Sequence, residues 1–220
     1  VTVPRYSVTV QLPPFVVLEG VDRSGKTTVA RMLVGRLLDA KVRARCFTTP
    51  DRDTLCGGLA GSYLRTWYED RLPSGTFRGA SEAAVVIQSL IMASRYEVAS
   101  RVAAAREAGE VAVCVRWWPS AELYGTLADN LPAGLLAGAC SFLPEPDLCA
   151  LLDADASEVA GRLDPNERYE GDPALQARLA GAYRELWARR GRDDPRWLVL
   201  PAGKAPGDLA DLLVGYLTDT

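Results

Sequence analysis

The sequence predicts an α/β fold: five short strands alternating with helices, forming a parallel sheet covered on both faces, with a short mobile lid. Three observations predict it. Strand-length apolar or β-prone runs recur at Phe15–Leu18, Val42–Thr48, Val111–Val115, Leu148–Leu152 and Trp197–Leu200. Amphipathic helical patterns lie between them. The first run leads directly into Gly20-Val21-Asp22-Arg23-Ser24-Gly25-Lys26-Thr27, a G-x-x-x-x-G-K-[ST] phosphate loop in its required strand-loop-helix setting.

Each residue type in that loop has a physical task. Gly20 and Gly25 permit torsions and close approach that a side chain would block, so successive amides turn toward phosphate oxygens. The following helix presents unpaired amides and the positive end of its dipole to the anion. Lys26 reaches the outer phosphates and the Thr27 hydroxyl is placed to ligate Mg2+. Ser24 and Thr28 complete the cradle. Only Lys26, Lys41 and Lys204 among the 25 basic residues are lysines, so a chance lysine at this position is rare.

The 220 residues suffice for one domain with a sizeable core, expected over residues 14–220. A net charge of −3 gives no general attraction to nucleic acid or to an anionic membrane, so a positive site must be local. The chain contains no histidine, which excludes Ser-His-Asp catalysis and histidine-held zinc. Cys46, Cys56, Cys114, Cys140 and Cys149 show no C-x-x-C spacing and read as reduced packing residues. With no membrane-length apolar run and no signal-peptide plan, the expected location is cytoplasmic.

In chain order, residues 1–13 form either an edge strand or a loose arm. After the first strand and the loop, Lys26–Ala40 carries a wide apolar face at helical spacing. The second strand, Val42–Thr48, runs into Thr49-Pro50-Asp51-Arg52. Arg52 thus falls at the carboxyl edge of the sheet, where ligands bind, as an anion contact or as a solvated surface arginine. Thr54–Arg71 reads as a helix broken by Pro73-Ser74-Gly75. Ala80–Ala108 is a long helical pattern with room for a kink, and Arg95 lies among its apolar positions, where a charge requires a partner.

The third strand, Val111–Val115, exits into Arg116-Trp117-Trp118-Pro119-Ser120 at the same edge. A helix over Ala121–Leu136 carries Tyr124. Pro144–Asp147 turns into the fourth strand, and Ser157–Leu163 is a short helix with Ser157 as its cap. Polar, proline-flanked Asp164–Pro173 reads as the lid. Helices over Leu175–Arg190 and Asp208–Tyr216 flank the fifth strand. Trp67, Trp187 and Trp197 read as packing residues.

Leu18 to Thr28, with an arginine inside the loop, resembles the phosphate loop of thymidylate kinases. Pro50-Asp51-Arg52 resembles their P-x-R segment, and Ser94-Arg95-Tyr96-Glu97 their N-R-W-E. Arg116 to Ser120 with Tyr124 is similar to D-R-Y-x-x-S, Pro144 to Leu148 to K-P-D-L, and Glu167-Arg168-Tyr169-Glu170 to the E-R-Y-E lid. The motifs occur in family order over residues 14–217, and the loop arginine resembles the eukaryotic and poxviral type. The resemblance implies a P-loop NTPase fold and transfer of the γ-phosphoryl group from ATP, with Mg2+, to the 5′-phosphate of dTMP. It implies that Arg23 and Lys26 bridge the moving group, that Arg52 and Arg116 hold the acceptor phosphate, and that Asp22 meets the sugar 3′-hydroxyl. It further implies that Arg95 meets the base edge and that Tyr124 and Tyr169, which read singly as packing aromatics, wall the nucleoside. Arg162 and Lys204 are candidates near adenine. A homodimer is implied.

Two departures stand out. Val115 occupies the place of the family's aspartate before the strand-end arginine, and valine cannot hold a metal or its waters; Glu19, Asp22 or Asp153 are the candidates to compensate. Ile91 replaces a phenylalanine that stacks on thymine, and Thr49 replaces the aromatic before Pro50. Trp117 takes the family's tyrosine position. The alternatives to a dTMP kinase are a kinase of another or modified pyrimidine nucleotide, motivated by Ile91 and Thr49, and a degenerate nucleotide-binding protein, motivated by Val115.

Overall fold

The computed structural model of the protein describes residues 13–68, 79–165, 167–201 and 203–218. Five strands, β1 (Phe15–Glu19), β2 (Ala44–Thr48), β3 (Val111–Val115), β4 (Leu148–Asp153) and β5 (Trp197–Pro201), form a sheet in the order β2-β3-β1-β4-β5. Every pairing is parallel, and the register places Leu18 beside Val115 on one side and Ala150 on the other. Strand order reverses around β1, so its carboxyl end opens at a topological switch point, where open α/β sheets bind ligands.

The alternation of side chains along each strand divides the core into two layers. On one face Phe15, Val17, Cys114 and Leu151 pack with Val98, Trp117, Tyr183 and Trp187. These partners come from α3 (Ala80–Glu107), α7 (Pro173–Arg190) and the exit from β3. On the other face Val16, Leu18, Val113 and Leu152 pack against Leu33 and Leu37 of α1 (Lys26–Asp39) and Leu209 and Leu213 of α8 (Pro206–Thr218). Phe15 through Leu18 are fully buried, which holds the strand feeding the phosphate loop rigidly at the sheet centre. Trp187 and Trp197 are buried packing residues whose ring centroids lie 4.8 Å apart.

Several elements depart from the sequence reading. The expected helix over Ala121–Leu136 is two helices, α4 (Trp118–Leu127) and α5 (Leu135–Cys140). Pro132 lacks the amide a helix needs, and Asn130 and Gly134 take positive φ values of 53° and 86°. Pro119 lies in the first turn of α4, where its missing N–H breaks no bond, so that helix starts earlier than expected. Ser157 does not cap the next helix. Asp155 does, in a reciprocal box with Glu158, over α6 (Ala156–Val159) and a following 3₁₀ turn (Ala160–Arg162).

α3 runs 28 residues without a break, packed along the sheet at Val98, Val102 and Ala105 and, near its start, against α2 (Leu55–Tyr68) through Ile87 and Ile91. Cys46 is exposed rather than packed, because β2 is the sheet edge and Phe47 takes its inward position. The expected arm at residues 1–12, the break at residues 73–75 and the packing of Trp67 fall outside the described residues and side chains.

Candidate active site

A cleft of about 750 Å³ opens at the carboxyl edge of β1, β2 and β3, within the ~300–1,000 Å³ usual for small-ligand sites. Five cations line it, Arg23, Lys26, Arg52, Arg116 and Arg162, against two acids, Asp22 and Glu170. A chain of net charge −3 thus concentrates positive potential at one place, as a polyphosphate site requires. Gly25, Thr27, Thr28, Thr49, Pro50 and Val115 complete the walls.

The phosphate loop owes its shape to its glycines. At Gly20 φ is +140°, and an added Cβ would lie 2.7 Å from the Leu152 carbonyl oxygen on the neighbouring strand. Gly25, at φ +95°, is the N-cap of α1, and no side chain caps that helix start. Its first amides therefore face the cleft with the dipole behind them. Lys26 is buried and donates through Nζ to the Val21 carbonyl (2.5 Å) and to Ser24 Oγ (3.2 Å). Burial, reinforced by the nearby Arg116 charge, pulls its ammonium down to about 7. Such a group regains its proton when phosphate arrives beside it.

Arg116 leaves β3 at φ 67° and is the hub of the site. Its Nη2 donates to Asp22 Oδ1, in a short ion pair, and to Tyr124 OH at 3.0 Å. Its Nη1 donates to Ser120 Oγ at 3.0 Å and to the Gly20 carbonyl at 3.3 Å. The guanidinium stacks over the Tyr124 ring, 4.7 Å from its centroid. Asp22 accepts further bonds from Tyr124 OH (2.8 Å) and Gln176 Nε2 (3.0 Å). Burial works against the Asp22 charge, yet Arg116 and Lys26 hold its carboxyl below the usual value.

Glu19, which ends β1, is fully buried and fully engaged. Oε1 accepts from the Trp117 and Ser120 amides at 2.6 and 3.3 Å, and Oε2 from Ser120 Oγ at 2.6 Å and Tyr183 OH at 3.1 Å. Asp153 accepts from Arg184 Nε at 2.7 Å. Neither carboxylate replaces the one absent at Val115, and the described residues hold no group of three or more His, Cys, Asp or Glu suited to a metal. Thr27 is an exposed hydroxyl on the cleft wall, as are Thr28 and Thr48.

The remaining predicted residues divide by location. Arg52 is exposed and 3.9 Å from Glu167. Tyr169 packs edge-on against Tyr124, with centroids 5.4 Å apart. Arg162 Nη1 donates to the Arg23 carbonyl at 3.2 Å, and Arg23 Nε to Glu170 at 2.6 Å. Arg95 is buried; its Nε donates to the Trp117 carbonyl at 3.1 Å, and its Nη1 has no hydrogen-bond partner among the described residues. Ile91 packs with Ala60 and Ile87. Lys204 is exposed in the turn after β5 and, like Arg95, Ile91, Tyr124 and Tyr169, is not among the cleft-lining residues; Tyr124 and Tyr169 are joined to them through Arg116 and Asp22. Sequence reasoning missed Gln176, whose signal was a polar residue on the apolar face set by Leu175, Leu179 and Tyr183. Ser120 and Tyr183, which join Arg116 to Glu19, carried no roles either.

A sequence-family model described as thymidylate kinase matches residues 18–211. The chain is 32% identical over 175 residues to a thymidylate kinase of Xanthomonas campestris, covering 76% of this chain and 71% of that protein. It is 30% identical over 172 residues to a thymidylate kinase of Homo sapiens, covering 78% and 75%. Among solved structures, a thymidylate kinase from Candida albicans, described as having broad substrate specificity, superposes with a TM-score of 0.73 at 25% identity, covering 94% of this chain and 92% of that one.

Proposed function

The chain belongs to the thymidylate kinase family, and from that premise we propose the division of labour by which it moves the γ-phosphoryl group of ATP onto the 5′-phosphate of dTMP, giving dTDP and ADP. The observation that carries the proposal is that Lys26 and Arg23 of the phosphate loop share one cleft with Arg52 and Arg116 from the ends of the neighbouring strands. Cations on both sides of one cleft suit an in-line transfer between two phosphates, where catalysis is mainly positioning and charge stabilisation.

Lys26 and the first amides of α1 take the β- and γ-phosphates. Arg23 leaves Glu170 and follows the moving group. Arg116, fixed by Asp22, Tyr124 and Ser120, holds the acceptor phosphate together with Arg52. Asp22 offers its carboxylate to the sugar 3′-hydroxyl, and Tyr124 and Tyr169 wall the nucleoside. The buried Nη1 of Arg95 supplies a donor for the base edge. Arg162 lies beside Arg23 on the adenine side.

Thr27 would touch the Mg2+ expected with ATP, and the ion would supply charge neutralisation on the nucleotide's phosphates. The exposed Thr27 hydroxyl fits an ion carried by the nucleotide, whereas Glu19 is buried and Glu19 and Asp153 are bound to other side chains. Exposed apolar side chains on α2 and α3 (Leu55, Leu59 and Val85) support a homodimer. Five free thiols support a reducing, cytoplasmic location. No helix among the described residues is long and apolar enough to cross a membrane.

The test follows ADP formation with ATP, Mg2+ and a panel of nucleoside monophosphates. Turnover greatest with dTMP is the expected result. Preference for another acceptor, or ATP binding without turnover on any, would overturn the assignment.

A further inference from the structure

Asp129 lies in the turn after α4, and its carboxylate is completely shielded from solvent. Among the described residues, three groups donate to it: Gln88 Nε2 at 2.6 Å and Tyr169 OH at 2.9 Å to Oδ2, and Arg168 Nη2 at 2.9 Å to Oδ1. Gln88 belongs to the sheet-packed helix α3. The other two belong to the segment just before α7. The turn itself is fixed, with the Asp129 amide donating to the Tyr124 carbonyl at 3.1 Å and the Leu131 amide to the Gly125 carbonyl at 2.9 Å.

A carboxylate out of water requires its donors. Lifting Arg168 and Tyr169 would leave Asp129 only Gln88 of the three. The other end of the same segment is held differently: Glu170 accepts from Arg23, whose side chain is 45% exposed. Exposed ion pairs of that kind hold weakly. The lid segment thus has a buried anchor at Arg168 and Tyr169, and ion pairs that reach solvent at Glu170 with Arg23 and at Glu167 with Arg52.

We infer that Asp129 is a positioning residue that docks Arg168 and Tyr169 over the acceptor side of the cleft, while the Arg23–Glu170 end opens to admit the nucleoside triphosphate. The inference rests on the reading of Tyr124 and Tyr169 as the nucleoside wall. The dock reaches the reacting end through a short path: the Tyr169 carbonyl accepts from Gln176 Nε2 at 2.9 Å, and the same nitrogen donates to Asp22 at 3.0 Å. Loss of the dock therefore loosens the acceptor's wall and one support of Asp22, and leaves the phosphate loop in place.

The test compares Asp129→Asn, which keeps shape and removes charge, with Glu170→Gln, and uses Tyr169→Phe as a milder second variant should Asp129→Asn fold poorly. Two readouts are taken on the full chain: amide hydrogen exchange without nucleotide, and separate KM values for dTMP and ATP. In Asp129→Asn, exchange at residues 167–171 should quicken about tenfold or more while β1 and β4 stay unchanged. The KM for dTMP should rise about tenfold, with that for ATP within about twofold. Tyr169→Phe should shift both in the same directions by less, and Glu170→Gln should act on ATP more than on dTMP. Unchanged exchange at 167–171 in both Asp129→Asn and Tyr169→Phe overturns the dock, whatever the enzyme's substrate. Faster exchange with equal changes in both KM values overturns the positioning role. A wild-type protein inactive on dTMP defeats the substrate reading instead, and the exchange arm still decides whether the dock exists.

Discussion

Glu19 and Ser120, 101 positions apart, share a 2.6 Å hydrogen bond beneath the phosphate loop. That contact joins the last residue of β1 to the first turn of α4, and Ser120 Oγ in turn accepts from Arg116. The carboxylate under the loop thus fixes the arginine above it. Glu19→Gln keeps the volume but turns an acceptor into a donor facing Tyr183 and Ser120. It should cost about 1–3 kcal/mol of stability and raise the KM for dTMP more than that for ATP. Urea unfolding alongside steady-state kinetics checks both; an unperturbed KM with lowered stability would reduce Glu19 to a scaffold residue.

Lys26 carries a pH dependence of a particular sign. Its pKa in the folded protein is about 7, against an ordinary 10.5. Between those values the folded state binds fewer protons than the unfolded, so this residue's contribution makes stability rise with pH across that window. Lys26→Met should remove that slope, unfold at higher denaturant than wild type at pH 7 without nucleotide, and lose turnover by about 10²-fold or more. Denaturation at pH 7 and 9.5 measures the first effect. Calorimetry in buffers of different ionisation enthalpy should show proton uptake when ATP binds to wild type near pH 8, and none in the variant.

Val115 sits at the end of β3 with 4% of its surface exposed, packed on the α1 and α8 side. Val115→Asp places a carboxylate on the cleft wall at a cost of about 1–3 kcal/mol in stability. It should increase Mg2+ affinity in the ATP complex and raise turnover at limiting Mg2+ by about three- to tenfold. A Mg2+ titration of the rate decides. An unchanged or lower rate would mean that the site is rebuilt around valine.

Arg95 has a buried guanidinium nitrogen without a partner among the described residues, and burial holds its pKa below the ordinary arginine value. A donor of that kind suits a bound base. Arg95→Ala should raise the KM for dTMP about ten- to hundredfold and change the ATP value by about twofold or less. Equal effects on both substrates would show that the residue supports the fold rather than the acceptor.

Much of this was readable before the coordinates. Apolar runs bounded by turns located β1, β3, β4 and β5, because a buried parallel sheet demands continuous hydrophobic stretches, whereas the edge strand β2, exposed at Arg45 and Cys46, was legible only as a β-prone run. The phosphate loop was readable because its torsions restrict which residues can occupy it. The split between α4 and α5 was obscured by Leu127 and Leu131, which continue a helical spacing across a proline turn. Gln176, Asp129 and Gln88 remained hidden for another reason: their partners lie tens of positions away, and no local pattern distinguishes a buried polar residue that pairs across the fold from an error in an apolar face.

The bond between Asp22 and Gln176 spans 154 positions. The phosphate loop forms from neighbours in sequence, yet the carboxylate that steadies Arg116 is completed only by a helix from the far end of the chain. Contacts of such separation form late, after the entropy of closing a long loop has been overcome. During synthesis the residues of the loop therefore emerge long before Gln176, and the acceptor side of the cleft is the last part to be completed.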